Sequence, residues 1–253
     1  MKSDDRIKEE VREKYSDIAT GKTGSIKGSS GSCSCGGKSE VIDISLRYAD
    51  SDLASVPEGA DLGLGCGTPT AYAGIMDGMT VLDLGSGAGV DCFIASRYVG
   101  KNGRVIGVDM TPEMIRKANE NKAKVHAANV DFRMGEIESL PVESGTVDRV
   151  ISNCVINLVP DKEKAFSEIY RVLKPGGSFS VSDIVVDGAI TEEERQDASL
   201  WAGCVSGAVA KDEYIGIIGK LGFREVRIIS ERKTDYELKS GGGVLSITVT
   251  GSK

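Results

Sequence analysis

The sequence predicts an α/β fold in which a parallel, doubly wound sheet of seven strands is flanked by helices. Short apolar runs rich in β-branched residues alternate with helical patterns between residues 81 and 183, as in successive βαβ units. The first of these runs breaks into the turn Gly85-Ser86-Gly87-Ala88-Gly89 just before a helical pattern. A strand, a glycine-rich turn and a helix in this order let the backbone approach a nucleotide closely.

The same patterns predict the individual elements. The strands are expected at Val81–Leu84, Val105–Val108, Val130–Arg133, Val147–Ser152, Ser178–Asp183, Arg224–Ser230 and Val244–Thr250. The helices are expected at 3–18, Ser45–Ala49, Cys92–Val99, Pro112–Lys124 and Lys162–Leu173. We expect the last two strands to form an antiparallel pair at one edge, and residues 185–222 to form a helical insertion. The result is a Rossmann-like sheet.

Three regions follow from this reading. Residues 1–40 combine an amphipathic helix, whose apolar stripe includes Val11 and Tyr15, with a Gly/Ser-rich loop that carries Cys33-x-Cys35. Residues 41–185 form the main nucleotide-binding domain. Residues 186–253 contain the helical insertion and the last strands.

Composition restricts the possible partners. The net charge of −7 argues against a nucleic-acid backbone as the main partner, because binding it requires a basic face. The charged N-terminus lacks the apolar core of a signal peptide, and no apolar run approaches the ~20 residues of a membrane span. We therefore expect a cytoplasmic protein with no membrane partner.

The chain has six cysteines and a single histidine, His126. In a reducing cytosol structural disulfides are rare, so metal, metalloid or redox roles and simple burial are the options. For Cys33 and Cys35 two interpretations remain open: exposed thiols in a flexible loop, or a loading or relay site that depends on the mobility of that loop. Cys92 is expected to be a packed core thiol, His126 a surface residue, and Cys66 a thiol on exposed, tightly turned backbone between glycines.

The glycine-rich turn is not a dinucleotide fingerprint, since Val90 stands where the third glycine of that motif belongs. It also lacks the Lys-Ser/Thr ending of a phosphate-binding loop. Asp109 ends the second predicted strand, where a carboxylate can accept hydrogen bonds from ribose hydroxyls. We therefore expect a ligand that contains a nucleoside but is neither a dinucleotide nor a nucleotide held by a phosphate-binding loop.

Three strings, VLDLGSGAG, VIGVDMTPEMIRKA and RVLKPGG, resemble those of the class I S-adenosylmethionine-dependent methyltransferases over residues 75–185. The resemblance implies S-adenosylmethionine at the carboxyl ends of the central strands, with the glycine turn near its methionine part. Asp109 would contact the ribose, and the Glu136–Ile137 turn would contact the adenine. The full expected donor site is Asp83, Gly85, Ser86, Gly87, Gly89, Asp109, Met110, Glu136, Ile137 and Asn153.

Three isolated cysteines suggest the methyl acceptor. Cys154 follows the strand Val147–Ser152, whose carboxyl end faces the ligand crevice, while Cys66 precedes the first strand and Cys204 lies in the helical insertion. Thiolates select soft acceptors. A zinc site is a poorer match because these cysteines lack its paired spacing. Trivalent arsenic takes three sulfurs in a pyramid and keeps the lone pair that attacks a methyl sulfonium.

The strings Gly65-Cys66-Gly67, Asn153-Cys154-Val155-Ile156-Asn157-Leu158 and Gly203-Cys204-Val205-Ser206-Gly207-Ala208 resemble the arsenite methyltransferase family. The resemblance implies that Cys66, Cys154 and Cys204 bind As(III), from arsenite or its thiol conjugates, and that residues 186–253 complete this site. One of Cys33 and Cys35 matches the family's additional N-terminal cysteine, which is linked to redox turnover through a disulfide with the Cys66 equivalent. A thiol reductant of the glutathione or thioredoxin type is then expected as co-substrate.

Two other functions remain open. A methyltransferase acting on a small organic acceptor would share the donor motifs but would have no use for three thiols. A non-enzymatic arsenite-binding or sequestering protein would have the same binding residues as the enzyme. The sequence motifs favour the enzyme acting on arsenic.

Overall fold

The computed structural model describes residues 4–22, 48–54, 56–196, 200, 204–239 and 241–253. The predicted redox thiols, Cys33 and Cys35, lie outside the described residues. Nothing in the structure therefore bears on them.

The described chain alternates strands and helices as the sequence predicts. The helices are α1 Asp4–Thr20, α2 Asp50–Leu53, α3 Pro69–Tyr72, α4 Val90–Val99, α5 Pro112–Val125, α6 Lys162–Val172, α7 Glu192–Gln196 and α8 Lys211–Lys220, with a 3₁₀ turn at Ile156–Leu158. The strands are β1 Thr80–Leu84, β2 Arg104–Asp109, β3 Val130–Met134, β4 Val147–Asn153, β5 Leu173–Asp187, β6 Arg224–Glu237 and β7 Gly243–Ser252.

The strands form one sheet in the order β3-β2-β1-β4-β5-β7-β6. The first five strands are parallel, while β7 runs antiparallel to both β5 and β6. The predicted seven-stranded, doubly wound sheet and its antiparallel final pair are therefore confirmed. The strand order reverses between β1 and β4, and a crevice opens at the carboxyl ends of strands at such a point.

Side-chain alternation along the strands supplies a core on each face of the sheet. Val81 of β1 points toward α4, where it joins Phe93. The next residue, Leu82, points to the opposite face, where it joins Phe166 of α6 and Ile218 of α8. Each fully buried side chain of this size contributes about 1.5–3 kcal/mol. Burial on both faces fixes the register, because a slip of one residue would exchange the two faces.

Several predicted boundaries change; strand β6, for example, runs to Glu237 rather than ending at Ser230. The helix expected at Ser45–Ala49 is wrong in its described part: Tyr48 and Ala49 are not helical, and α2 begins at Asp50. Acidic residues in the first turn of α2 favour this later start. Strand β5 is longer than predicted, because it pairs with β7 from Ser178 through Asp187. Residues 185–187 therefore belong to the sheet rather than to the helical insertion.

In the described part of the chain, no helix combines the length and the apolar character needed to cross a lipid bilayer.

Candidate active site

The glycine turn after β1 requires its glycines. Gly85, Gly87 and Gly89 have φ values of 64°, 52° and 99°, in the left-handed region that side chains disfavour. A Cβ on Gly85 would lie 2.4 Å from Val155 Cγ1, so the turn packs directly against the segment that follows β4. The Gly89 N–H closes the turn on the Ser86 carbonyl at 2.8 Å. The turn thus forms the floor of a crevice between β1 and β4.

A cavity of about 1030 Å³, open mouth included, occupies this crevice. We call it the donor cavity. Eight of the ten residues predicted for the donor site line it: Gly85, Ser86, Gly87, Asp109, Met110, Glu136, Ile137 and Asn153. Asp83 and Gly89 do not. Helix α1 closes one side, because Lys8, Val11 and Tyr15 also line the cavity.

Asp109 is oriented by two backbone donors. The Gly87 N–H donates to its Oδ2 at 3.0 Å, and the Thr111 N–H donates to its Oδ1 at 2.8 Å. Burial raises the pKa of this carboxyl above its usual value, although these hydrogen bonds oppose the rise. Each oxygen keeps a lone pair for a further donor, so Asp109 can accept hydrogen bonds from a ribose diol.

Ser86 supports the assignment of a polar ligand to this cavity. It lines the cavity, and its buried hydroxyl has no hydrogen-bond partner among the residues that the structure describes. A buried hydroxyl without a partner costs about 1–3 kcal/mol. A ligand group that reaches Ser86 would remove this cost. With Asp109 and the glycine turn, Ser86 makes a set of residues that fits the polar parts of S-adenosylmethionine.

The structure places Asp83 away from the donor cavity. Asp83 is 2% exposed, and the Cys92 thiol donates to its Oδ2 at 3.2 Å. Burial, reinforced by the neighbouring Asp91 charge, raises its pKa well above the usual range. Cys92 is 0% exposed, so the prediction of a packed core thiol is confirmed.

Asp91 is the cavity carboxylate that sequence reasoning missed. It lies in the first turn of α4 and lines the donor cavity. The Tyr48 hydroxyl donates to one of its oxygens, and the Asn153 amide donates to the other at 3.3 Å. Burial raises the pKa of Asp91 to about 6, against the effect of both hydrogen bonds. The signal was an acidic residue at the start of the helix that follows a glycine turn.

An ion pair anchors helix α1 over the donor cavity. The Lys8 Nζ lies 2.7 Å from Glu136 Oε2 and also contacts the Glu138 carboxylate. The hydrogen bond from Lys8 lowers the pKa of Glu136. Val11 is buried and Tyr15 packs against the same apolar cluster, so the predicted apolar stripe of this helix faces the site.

The structure brings Cys66, Cys154 and Cys204 together in one apolar cluster, with 0%, 2% and 2% of their surfaces exposed. We call these three residues the thiol cluster. The Cys204 thiol donates a hydrogen bond to the Cys154 carbonyl. Burial raises the pKa of Cys66, and burial with these thiol neighbours raises that of Cys154 well above its usual range. Both thiols are therefore protonated at neutral pH.

The burial of Cys66 corrects the expectation of exposed backbone at this position. The Ser246 hydroxyl of β7 donates to the Cys66 carbonyl at 2.7 Å. A Cβ on Gly67 would lie 2.3 Å from Ser182 Oγ of β5. The turn is tight, as predicted, but it folds over the sheet.

The other two thiols sit on strained backbone. Cys154 and Cys204 have φ values of 60° and 61°, which cost a residue with a Cβ about 1–2 kcal/mol each. The Cys154 N–H donates to the Ser182 carbonyl at 2.8 Å, which holds this conformation at the end of β4. Strain of this kind is concentrated at functional sites.

The thiol cluster lies at one end of the donor cavity, since Cys154 lines that cavity. Among the described residues, no three His, Cys, Asp or Glu side chains are already arranged to hold a metal ion. His126 is exposed at the end of α5, as predicted.

A buried polar network lies behind the thiol cluster. The Tyr214 hydroxyl and the Asn157 N–H each donate to Asp183 Oδ2 at 3.1 Å. The Asn157 amide donates to the Ile184 carbonyl and, at 3.4 Å, to the Cys204 carbonyl. Burial raises the pKa of Asp183 to about 7. Asn157 thereby links the Cys204 loop to β5.

This strand order, a glycine turn after β1 and an acidic residue at the end of β2 define a class I S-adenosylmethionine-dependent methyltransferase fold. Residues 75–230 match the family profile described as a methyltransferase domain. Three similar proteins indicate which group of methyltransferases this chain resembles.

The chain is 48% identical over 231 residues to the arsenite methyltransferase of Halobacterium salinarum, covering 88% of this chain and 59% of the relative. It is 38% identical over 190 residues to that of Mus musculus, covering 72% of this chain and 50% of the relative. The crystal structure of an arsenic(III) S-adenosylmethionine methyltransferase from Chlamydomonas reinhardtii superposes with a TM-score of 0.73 at 37% identity, covering 81% of this chain and 73% of that one.

The chain belongs to the methyltransferase-domain family, and within it to the arsenite methyltransferases. It spans between half and three fifths of the length of the two curated relatives.

Proposed function

We propose that this chain transfers the methyl group of S-adenosylmethionine to trivalent arsenic held by Cys66, Cys154 and Cys204. The observation that carries the proposal is the position of Cys154, which lines the donor cavity and packs in one buried cluster with Cys66 and Cys204. A nucleophile bound by this cluster would therefore face the donor directly. A carbon or oxygen acceptor would leave the three converging thiols without a purpose.

Arsenite binding needs no base, because the protons released by the thiols leave with the displaced hydroxides. Arsenite enters as neutral As(OH)₃ or as a thiol conjugate, so the acidic chain does not have to attract an anion. Each cysteine forms an As–S bond and its proton leaves with the displaced hydroxide as water. Three such exchanges release three waters and leave the arsenic lone pair free. The protonated state of Cys66 and Cys154 matches this stoichiometry.

S-adenosylmethionine supplies an electrophilic methyl group on a cationic sulfonium. The residues of the chain bind and orient the two partners, and such orientation can be worth roughly 7–11 kcal/mol. The buried, apolar walls of the thiol cluster exclude water from the transfer path. Asp91 and Asp109 place carboxylates beside a cationic ligand. No general base is required, because the arsenic lone pair carries no proton.

Turnover requires an external electron source. Methyl transfer oxidises arsenic by two electrons, and a thiol reductant of the glutathione or thioredoxin type would return it to the trivalent state. Cys33 or Cys35 would relay these electrons. We place the reaction in the cytoplasm, where such reductants are abundant. In this account residues 1–40 supply helix α1, which covers the donor cavity, and the redox thiols. Residues 41–185 form most of the donor cavity, and residues 186–253 complete the arsenite site.

The test is incubation of the chain with arsenite, S-adenosylmethionine and a thiol reductant, followed by chromatography of the arsenic species. We expect methylated arsenic together with S-adenosylhomocysteine. Tight arsenite binding without either product would instead indicate a sequestering protein. Absence of arsenite binding would favour an organic acceptor.

A further inference from the structure

We propose that Asn153 is a positioning residue that couples the donor cavity to the arsenite site, because the amide that holds Cys66 in place also contacts Asp91. This inference rests on the proposed function. It predicts that occupation of the donor cavity strengthens arsenite binding.

The side-chain amide of Asn153 holds the Cys66 loop. Asn153 Oδ1 accepts hydrogen bonds from two consecutive backbone donors, the N–H of Cys66 at 3.0 Å and that of Gly67 at 3.1 Å. Its Nδ2 donates to the Gly67 carbonyl at 2.9 Å. A Cβ on Gly65 would lie 2.8 Å from the same Nδ2, so the loop packs closely against the amide. The position of Cys66 therefore depends on how this amide is held.

The other contact of the amide reaches the donor cavity. Asn153 Nδ2 also donates to Asp91 Oδ2 at 3.3 Å, and both residues line the cavity. The remaining Asp91 oxygen accepts from Tyr48, so the carboxylate is fixed on its far side. A cation bound in the cavity fixes the orientation of this carboxylate, whose charge makes it a strong acceptor for the Asn153 amide. Donor binding thus tightens the hold on Asn153 and, through it, on Cys66.

Coupling of this kind is reciprocal. If the donor strengthens arsenite binding by a given factor, arsenite strengthens donor binding by the same factor. The enzyme would then favour the complex that contains both reactants.

Ser246 provides a matched control. Its hydroxyl also holds the Cys66 loop, through the Cys66 carbonyl at 2.7 Å, but Ser246 is not part of the cavity wall. Ser246→Ala therefore loosens the loop without breaking the link to Asp91. Asn153→Ala loosens the loop and also breaks the link to Asp91.

The experiment is calorimetric titration of arsenite with and without saturating S-adenosylhomocysteine, which keeps the ammonium group but cannot transfer a methyl. For the wild type we expect arsenite to bind at least about fivefold more tightly with the analogue present, the lower end of typical couplings. Asn153→Ala should weaken arsenite binding and bring this ratio close to one. Ser246→Ala should weaken arsenite binding but keep the ratio. Asp91→Asn, which removes the charge and keeps one acceptor oxygen, should lower the ratio.

Three results would overturn the inference while leaving the proposed function intact. The first is that S-adenosylhomocysteine does not change the arsenite affinity of the wild type. The second is that Asn153→Ala keeps the wild-type ratio of arsenite affinities with and without the analogue. The third is that Ser246→Ala loses this ratio as fully as Asn153→Ala does. A wild type that binds no arsenite at all would overturn the proposed function, and this inference with it.

Discussion

The thiol of Cys204 donates a hydrogen bond to the backbone carbonyl of Cys154 across 3.1 Å, joining positions that lie 50 residues apart. Both residues have left-handed backbone, which a residue with a side chain adopts only when its surroundings hold it there. The hydrogen bond supplies part of that hold. Each thiol is therefore positioned by the segment that carries another, so the cluster forms only in the folded chain.

This contact separates the structural role of Cys204 from its proposed chemical role. Cys204→Ser keeps a donor for the Cys154 carbonyl but replaces a soft ligand with a hard one. We expect its melting temperature and donor affinity to stay near wild type, while arsenite affinity falls by roughly tenfold or more, which is about 1.4 kcal/mol. Thermal unfolding and calorimetry measure both properties. Cys92→Ser, in a different part of the core, is the control, and equal arsenite binding by all three proteins would contradict the assignment.

The ion pair between α1 and the Glu136 turn should contribute to donor binding. Lys8→Met keeps most of the apolar stem and removes the charge that Glu136 and Glu138 face. Partly exposed ion pairs are worth about 1 kcal/mol, so the donor dissociation constant should rise by up to roughly fivefold. Arg6→Met serves as the control, because Arg6 pairs with Glu10 inside the same helix. Identical donor affinities in the two variants would show that the ion pair does not hold the helix closed.

Gly67 should tolerate no side chain. A Cβ there would lie 2.3 Å from Ser182 Oγ and 2.4 Å from its Cβ, so the Cys66 loop would have to move away from β5. We expect Gly67→Ala to lose about 1–3 kcal/mol of stability and most of its arsenite affinity. Gly216→Ala is the matched control, since a Cβ at that position in α8 has no atom within 4 Å. Replacing that helical glycine should stabilise the protein by about 0.5–1 kcal/mol.

Asp183 should make stability depend on pH. Its pKa rises from 3.8 to about 7 on folding, so the folded state binds the proton more tightly than the unfolded chain. Stability from this group is present below about pH 4 and is lost as pH rises through about 7. The loss is on the order of 4 kcal/mol. Asp183→Asn should therefore flatten the decline in unfolding free energy across this window, as urea titrations would measure. Parallel pH profiles for the two proteins would contradict this.

Strand-end reasoning correctly placed Asp109 and Cys154, because each follows a parallel strand whose carboxyl end faces the crevice. The same reasoning wrongly assigned Asp83 to the donor site. That residue shares the sheet face of Val81, two positions earlier, and so points beneath the sheet to Cys92 rather than over its end. Asp91 takes its place in the cavity wall by virtue of the helix that the glycine turn begins.

The burial of Cys66 could not be predicted from the residues around it in the sequence. It depends on Ser246, a residue 180 positions later in β7, and on the close approach of Gly67 to β5. The glycines around Cys66 indicated a tight turn but not what the turn would meet. The second role of Asn153, as the residue that holds this loop, was hidden for the same reason. The redox role of Cys33 or Cys35 stays a prediction.

The central claim is that three cysteines bind arsenic beside the methyl donor. Arsenic K-edge X-ray absorption of the arsenite complex counts the sulfur ligands directly. We predict three sulfurs and no oxygen in the wild type, two sulfurs in each of Cys66→Ser, Cys154→Ser and Cys204→Ser, and three in Cys92→Ser. A wild-type spectrum with fewer than three sulfurs, or one that none of the three substitutions changes, would contradict the account.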